Sequence, residues 1–235
     1  MDLGGLRAVC FDLDNTLWDI EPVLTRAERI LADWMRGRYP RLAENLSAGA
    51  MARVRESLLR EQPDKSHDLT FLRRESLARL ALESGCDRSA ADAIAHEAFA
   101  TWHAERNRCV PFDDVVPALE ILRPRFRLAT LSNGNADLEC IGIAHHFDIR
   151  LHAAELGFAK PDPRAYAALA EALTLAPAEI LFVGDEPCAD VIGPGAAGMR
   201  TIWVNRTGAA WPSGLAAPDA SVSDLAGVVA LLAKS

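Results

Sequence analysis

No stretch of this sequence approaches the ~20 consecutive apolar residues that a membrane-spanning helix requires. A membrane partner is therefore not expected. The first residues, Met1-Asp2-Leu3-Gly4-Gly5, lack the basic and apolar regions of a signal peptide. Cysteine is sparse: five residues, at positions 10, 86, 109, 140 and 188, form no C-x-x-C pair. An odd, scattered set points to reduced thiols and a cytoplasmic protein. Cys10 reads as a small core residue. Basic charge is also short. With 25 Lys and Arg against 33 Asp and Glu, the formal charge is −8, which argues against nucleic acid because phosphate backbones need a basic footprint. There is no internal repeat and no low-complexity tract.

The chain does have length and apolar content. Its 235 residues, half of them hydrophobic, suffice for a full core plus an inserted subdomain. An apolar run, Leu6 to Phe11, reads as a buried parallel strand. After Trp18 the pattern turns helical for roughly ninety residues. Asp19 to Met35 carries apolar residues on one helical face, with Asp19 as an N-cap and Pro22 in the first turn. Ser47 caps a second helix. Ser66 or Asp68 opens a third, which Gly85 stops. Ser89 with Asp92 resembles a capping box leading a fourth. Trp34, Phe99 and Trp102 belong to the core of this small bundle.

From Pro111 helix and strand alternate. Helices are predicted over 115–122, 163–173 and 190–197, and strands over 126–131, 149–152, 180–183 and 201–204. The alternation implies a doubly wound α/β fold, a parallel sheet with helices on both faces. The Gly208–Ser221 stretch is expected as a surface loop before a last helix. The predicted organisation is a discontinuous core, residues 1–17 and 109–235, interrupted by a helical domain at 18–108.

The first strand runs into Phe11-Asp12-Leu13-Asp14-Asn15-Thr16-Leu17-Trp18-Asp19. Residues two apart on an extended chain point the same way. Two carboxylates so placed repel, and removing them from water costs still more. Other predicted strands also end in polar residues: Ser132-Asn133-Gly134-Asn135 after one, Gly184-Asp185-Glu186 after another, and Ala159-Lys160-Pro161 beyond a third. Ligands of open parallel sheets bind outside the carboxyl ends of strands. Carboxylates, a hydroxyl and an ammonium gathered there suit a divalent cation and a phosphate. Mg²⁺ takes one or two protein carboxylates, here Asp12 and Asp185, and relieves the repulsion. Lys160 and Ser132 would face phosphoryl oxygens. One aspartate would act as nucleophile, and the other as acid and base.

In order, FDLDNTL, LATLSNGN, Lys160-Pro161 and VGDEPCADVIGPGAAGM resemble the four motifs of the haloacid dehalogenase-like hydrolase superfamily, with a helical cap inserted where its first cap class has one. The resemblance spans the whole core. It implies a Rossmann-like core and Mg²⁺, with Asp12 as nucleophile and metal ligand. Asp14 would be acid/base, its backbone carbonyl on the metal, and Asp185 a further metal ligand. Thr16 would support the loop, Ser132 with the Asn133 amide would bind phosphate, and Lys160 would neutralise charge. Asp190 would lie behind the metal ligands, or serve as an N-cap alone. Asn15 stands where glycine is commoner.

The founding dehalogenases lack the second aspartate, because a departing halide needs no acid, so Asp14 favours a phosphatase. The cap start Trp18 to Val23, the Pro63 to Thr70 segment and the Ser132 to Asn135 loop look like bacterial phosphatases acting on 5-amino-6-(5-phospho-D-ribitylamino)uracil in riboflavin synthesis. The implied protein is a monomer or homodimer hydrolysing a small phosphorylated metabolite through an aspartyl phosphate. The cap would set substrate choice. Trp18 would line the cleft or pack the hinge, Asp19 flanks it, and His67 would reach substrate or sit in a solvated loop that Asp68 caps. Sugar phosphomutase, haloacid dehalogenase and an idle phosphometabolite-binding module are the alternatives. His145-His146 is not expected to ligate one ion, since adjacent helical residues diverge.

Overall fold

The structure is a computed structural model, and it describes residues 5–233. Met1-Asp2-Leu3-Gly4, read above as lacking a leader's features, lies outside the described residues. Among those described, no helix is long and apolar enough to cross a membrane.

The chain divides into two compact units. One runs up to Asp19 and resumes at Val110; the other spans Ile20–Cys109. The first holds a six-stranded, all-parallel sheet in the order β3-β2-β1-β4-β5-β6. Its strands are β1 (Ala8–Phe11), β2 (Arg127–Ser132), β3 (Ile149–His152), β4 (Ile180–Gly184), β5 (Arg200–Val204) and β6 (Ala220–Val222). β1 and β4 are buried along their whole length, as expected of strands covered on both faces. From β1 the chain builds outward to β2 and β3 on one side. It then returns to build β4, β5 and β6 on the other. The direction reverses between β1 and β4, and such a switch point opens a crevice at the strands' carboxyl ends. One side of the sheet packs Ala8, Cys10, Ala129, Leu131 and Phe182 against Tyr166, Leu169 and Leu173 of the Pro163–Leu173 helix.

The second unit is helical, with principal helices Glu21–Arg38, Ala48–Glu61, Leu69–Glu83 and Arg88–Arg106 and a short Pro40–Ala43 turn of helix. Its core gathers Leu31, Met35, Leu58, Leu72, Leu77 and Trp102, with Trp34 and Phe99 packed at its margin. Ser47 and Asp68 cap their helices as expected, accepting from the Ala50 and Phe71 amides. Gly85 follows the third helix at φ +92°, a conformation glycine adopts without a Cβ clash.

Several expectations are corrected. The first long helix is entered from Ile20 with no side-chain cap, not from Asp19; Pro22 in its first turn presets φ and leaves one fewer amide to satisfy. The fourth is capped by Asp87, which accepts from the Ala90 amide, while Asp92 pairs with Arg88 instead of completing a box with Ser89. Aspartate two residues earlier is simply the better-placed acceptor. The helix expected over 190–197 begins earlier, as a wide π-type turn over Pro187–Ile192 capped by Glu186, and continues as Gly193–Ala196. Asp190 is therefore inside the turn and is not its N-cap. The stretch expected as a loop up to Ser221 ends in β6, which pairs with β5.

Gly193 illustrates how tightly the segment after β4 is packed. A Cβ there would overlap the Tyr166 phenol, whose hydroxyl donates to the Ala189 carbonyl at 2.6 Å. Gly193→Ala should therefore destabilise the protein by about 1–3 kcal/mol, the usual cost of overpacking. Urea unfolding measures this, and an unchanged midpoint would contradict the packing described.

Candidate active site

Asp12 and Asp185 come directly after β1 and β4, one on each side of the switch point. The Asp12 amide donates to the Val183 carbonyl at 2.9 Å, which carries the sheet register one residue past β1. Beside Asp12 lies Lys160, only 5 % exposed. Its Nζ donates to Asp12 Oδ1 and to Asp190 Oδ1, each at 2.7 Å, and rests 5.0 Å from the centre of the Phe182 ring. The lysine backbone is fixed as well. The Asn133 side chain donates to its carbonyl and accepts from its amide, both at 2.8 Å. Both ends of the Asn133 carboxamide are thus engaged by the Lys160 backbone. Ser132, the last residue of β2, is buried, and its Oγ accepts from the Gly134 amide at 3.0 Å.

Asp190 is 1 % exposed. Besides Lys160 it accepts from the Glu186 amide at 2.9 Å. Its carboxyl fills the space beside Gly184, where any Cβ would overlap it. Glycine at the end of β4 is the condition for Asp190 to approach.

One oxygen each from Asp12, Asp185 and Asp190 lie within 4.8 Å of one another, the single group of this kind among the described residues. The Asp14 carboxylate is not in the group. Three carboxyl groups face one ammonium here, Asp190 buried and Asp185 half-buried, so that full ionisation would leave two uncompensated negative charges. Burial raises the Asp12 carboxyl well above its usual range, only partly offset by Lys160, with Asp190 and Asp185 adding to the rise. Burial likewise lifts Asp185 to about 6, with Asp190 adding to it. Burial opposes the Lys160 charge, but Asp12 and Asp190 outweigh it and hold the ammonium protonated. An all-oxygen donor set with an unbalanced double negative charge fits a hard divalent cation.

The loop after β1 is held from three sides. Thr16, fully buried, donates to Asp185 Oδ1 at 3.0 Å. Trp18, also fully buried, donates from its indole to Asp14 Oδ1 at 2.8 Å. Arg206 donates to the Thr16 carbonyl at 3.0 Å and pairs with both oxygens of Asp114 at 3.0 and 2.9 Å. Its guanidinium lies 3.9 Å from the centre of the Phe112 ring, and Asp114 also accepts from the Leu225 amide. Burial by itself would raise the Asp114 carboxyl; Arg206 and that amide bring it below its usual value. Trp203 donates to the Asp185 carbonyl at 2.7 Å.

Of the residues expected at the sheet edge, the structure joins Lys160 to Asp12 and brings Asp12 and Asp185 together with Asp190, while the Ser132 hydroxyl turns to its own loop. The sequence reading missed the indole on Asp14, although Trp18 is only four residues away. It also missed the Asp114–Arg206 clamp, whose members are separated by 92 residues and carry no local signal. Asp19 is exposed, whereas His67 is half-buried in the helical unit, just before the capping residue Asp68.

Residues 6–198 match the haloacid dehalogenase-like hydrolases. The chain belongs to this family. Among its relatives, the 5-amino-6-(5-phospho-D-ribitylamino)uracil phosphatase YigB of Escherichia coli (strain K12) is 31% identical over 234 residues, 98% of each chain. Haloacetate dehalogenase H-2 of Moraxella sp. (strain B) is 28% identical over 235 residues, covering 97% of this chain and 98% of its own. A crystal structure of 2-haloacid dehalogenase from Pseudomonas syringae pv. Tomato DC3000 superposes with a TM-score of 0.94 at 35% identity, over 97% of this chain and 99% of that one. The fold is thus the Rossmann-like core of the haloacid dehalogenase-like family with an inserted helical unit, and its relatives divide between two chemistries.

The raised Asp185 carboxyl has a consequence for stability. Its folded value, about 6, exceeds the unfolded 3.8. Its charge therefore opposes folding above about pH 6, and that cost fades as pH falls toward 3.8. In chelator-treated protein, Asp185→Asn should gain about 1–3 kcal/mol at neutral pH, shrinking to nothing near pH 4. Urea titrations at several pH values read this directly, and an equal effect at both ends of the range would exclude burial as the cause.

Proposed function

We propose that this hydrolase is a phosphatase acting on a small-molecule phosphomonoester through a covalent phosphoryl-aspartate on Asp12. The observation that carries the reading is a pair of carboxylates two residues apart with different partners: Asp12 on Lys160, and Asp14 on Trp18. Displacing halide from a haloacid requires a nucleophile only, because halide leaves as a stable anion. Expelling an alcohol from a phosphomonoester also requires a proton, and a second carboxyl is the group to give it.

The steps follow from these roles. An Asp12 oxygen attacks phosphorus, the bond from phosphorus to the alcohol oxygen breaks, and Asp14 hands that oxygen its proton. Water then attacks the phosphoryl-aspartate and gives a proton to Asp14. The bond between phosphorus and Asp12 breaks, releasing inorganic phosphate and restoring both carboxyls. Lys160, the Ser132 hydroxyl and the Asn133 backbone N–H would face the phosphoryl oxygens. Thr16 would hold Asp185 in place. Asp12 and Asp185, with Asp190 beside or behind them and the Asp14 carbonyl, would hold Mg²⁺, which when bound supplies positive charge against the phosphoryl oxygens.

The named phosphatase relative supports 5-amino-6-(5-phospho-D-ribitylamino)uracil as a substrate to try first. We assign substrate choice to the inserted helical unit, with His67 as its candidate; Asp19 is the last core residue before that unit. Five free cysteines fit a reducing, cytoplasmic setting. Dehalogenation is the second reading, favoured by the names of the structural neighbour and of one relative over the whole chain.

Inorganic phosphate released from p-nitrophenyl phosphate and from the ribitylaminouracil phosphate, set against chloride released from 2-chloropropionate, decides between them. The proposal expects phosphate release that depends on added Mg²⁺ and little or no chloride; the reverse would replace it with the dehalogenase. Asp12→Asn should lower phosphate release by at least about a thousandfold while circular dichroism stays unchanged.

A further inference from the structure

We propose that Trp18 is a positioning residue for Asp14, its indole N–H orienting the carboxyl that protonates the leaving group. This rests on the phosphatase reading and deepens it.

The indole is not a chance surface contact. Trp18 is 0 % exposed, and its Nε1 donates to Asp14 Oδ1 at 2.8 Å. The turn carrying both residues is closed by its own backbone. The Asn15 amide donates to the Trp18 carbonyl at 2.7 Å, and the Leu17 amide to the Leu13 carbonyl at 2.8 Å. Asn15 makes the turn possible at φ +62°, a left-handed conformation that asparagine tolerates better than most residues. The Phe112 amide anchors the far side by donating to the Leu17 carbonyl at 2.9 Å. The backbone that carries the indole is thus tied on both flanks.

An indole N–H only donates. Oδ1 therefore serves it as an acceptor whether Asp14 is charged or neutral, and the transferable proton is carried on Oδ2. Without the donor, the carboxyl loses a restraint on its terminal torsion, which is intrinsically broad. An acid whose proton must meet a departing oxygen is sensitive to that orientation. The competing role, a bulky residue that merely packs the turn, would harm every substrate alike.

Leaving groups separate the two roles. p-Nitrophenolate departs with little help from an acid, whereas phenolate departs with more. kcat/KM reports the half of the reaction that expels the leaving group. Trp18→Phe should lower kcat/KM for phenyl phosphate about tenfold more than for p-nitrophenyl phosphate. Trp18→His, whose ring places an N–H at the same distance along the side chain, should restore much of the ratio. Both rates come from one preparation, so any unfolded fraction cancels. Replacement of Trp18 by β-(3-benzothienyl)alanine, which keeps the shape and removes the N–H, should behave as the phenylalanine variant does. An unchanged ratio in the phenylalanine and benzothienyl proteins, or a histidine variant no better than phenylalanine, would overturn the role of Trp18. A wild-type protein that hydrolyses neither ester would overturn the phosphatase reading instead.

Discussion

One buried ammonium organises this site. Lys160 reaches two carboxylates from different parts of the chain, Asp12 after β1 and Asp190 beyond β4, and its main chain is gripped by Asn133 after β2. Removing three charged groups from water is expensive, and the expense is offset only when the geometry is close and the remaining hydrogen bonds are made. Here each ion pair is 2.7 Å long, and Asp190 spends its second oxygen on a backbone amide. Sequence details that would otherwise look arbitrary follow from this. Gly184 lacks a side chain because the Asp190 carboxyl occupies its place. The wide turn over Pro187–Ile192 sets Asp190 facing inward, where an aspartate at an N-cap would have spent its oxygens on the helix end.

The strands were legible because a buried parallel strand is a short apolar run, and β1 and β4 are little else. Asp12 and Asp185 were legible because acids interrupt those runs. Capping was legible where one acceptor stood alone, as Ser47 does. It was misread where two competed, as Asp87 and Ser89 do, since a preference scale does not say which residue takes the extended conformation. Contacts across the fold were the hardest. Nothing in the sequence singles out Arg206, whose partners are Asp114 and the Thr16 carbonyl. Trp18 reads as lining the cleft or packing the hinge until its nitrogen is seen to donate to Asp14. In both, the missing information is a side-chain direction fixed by tertiary structure, which periodicity does not encode.

The relatives show why the family alone leaves the reaction open. A fold hosts unrelated chemistries, and function belongs to the site. A phosphatase at 31% identity and a dehalogenase structure at 35% each cover nearly the whole chain. Overall likeness therefore cannot rank the two reactions. The ranking has to come from what each reaction demands of the leaving group, and so from the residue two places after Asp12.

The charge state of Asp12 adds an independent consideration. A nucleophilic carboxyl must be ionised, yet burial and two neighbouring acids push Asp12 toward its neutral form, with Lys160 too little to balance them. Asp190 has a role in either chemistry, because it holds Lys160; Asp185 has no such partner in Lys160 and makes ionising a neighbouring nucleophile harder. The same acids make sense if a divalent cation joins them: it favours the ionised form of every carboxyl at once and leaves positive charge to meet a phosphoryl group. Under the phosphatase reading proposed above, the excess of acid over base in this pocket is the charge that a divalent cation would meet.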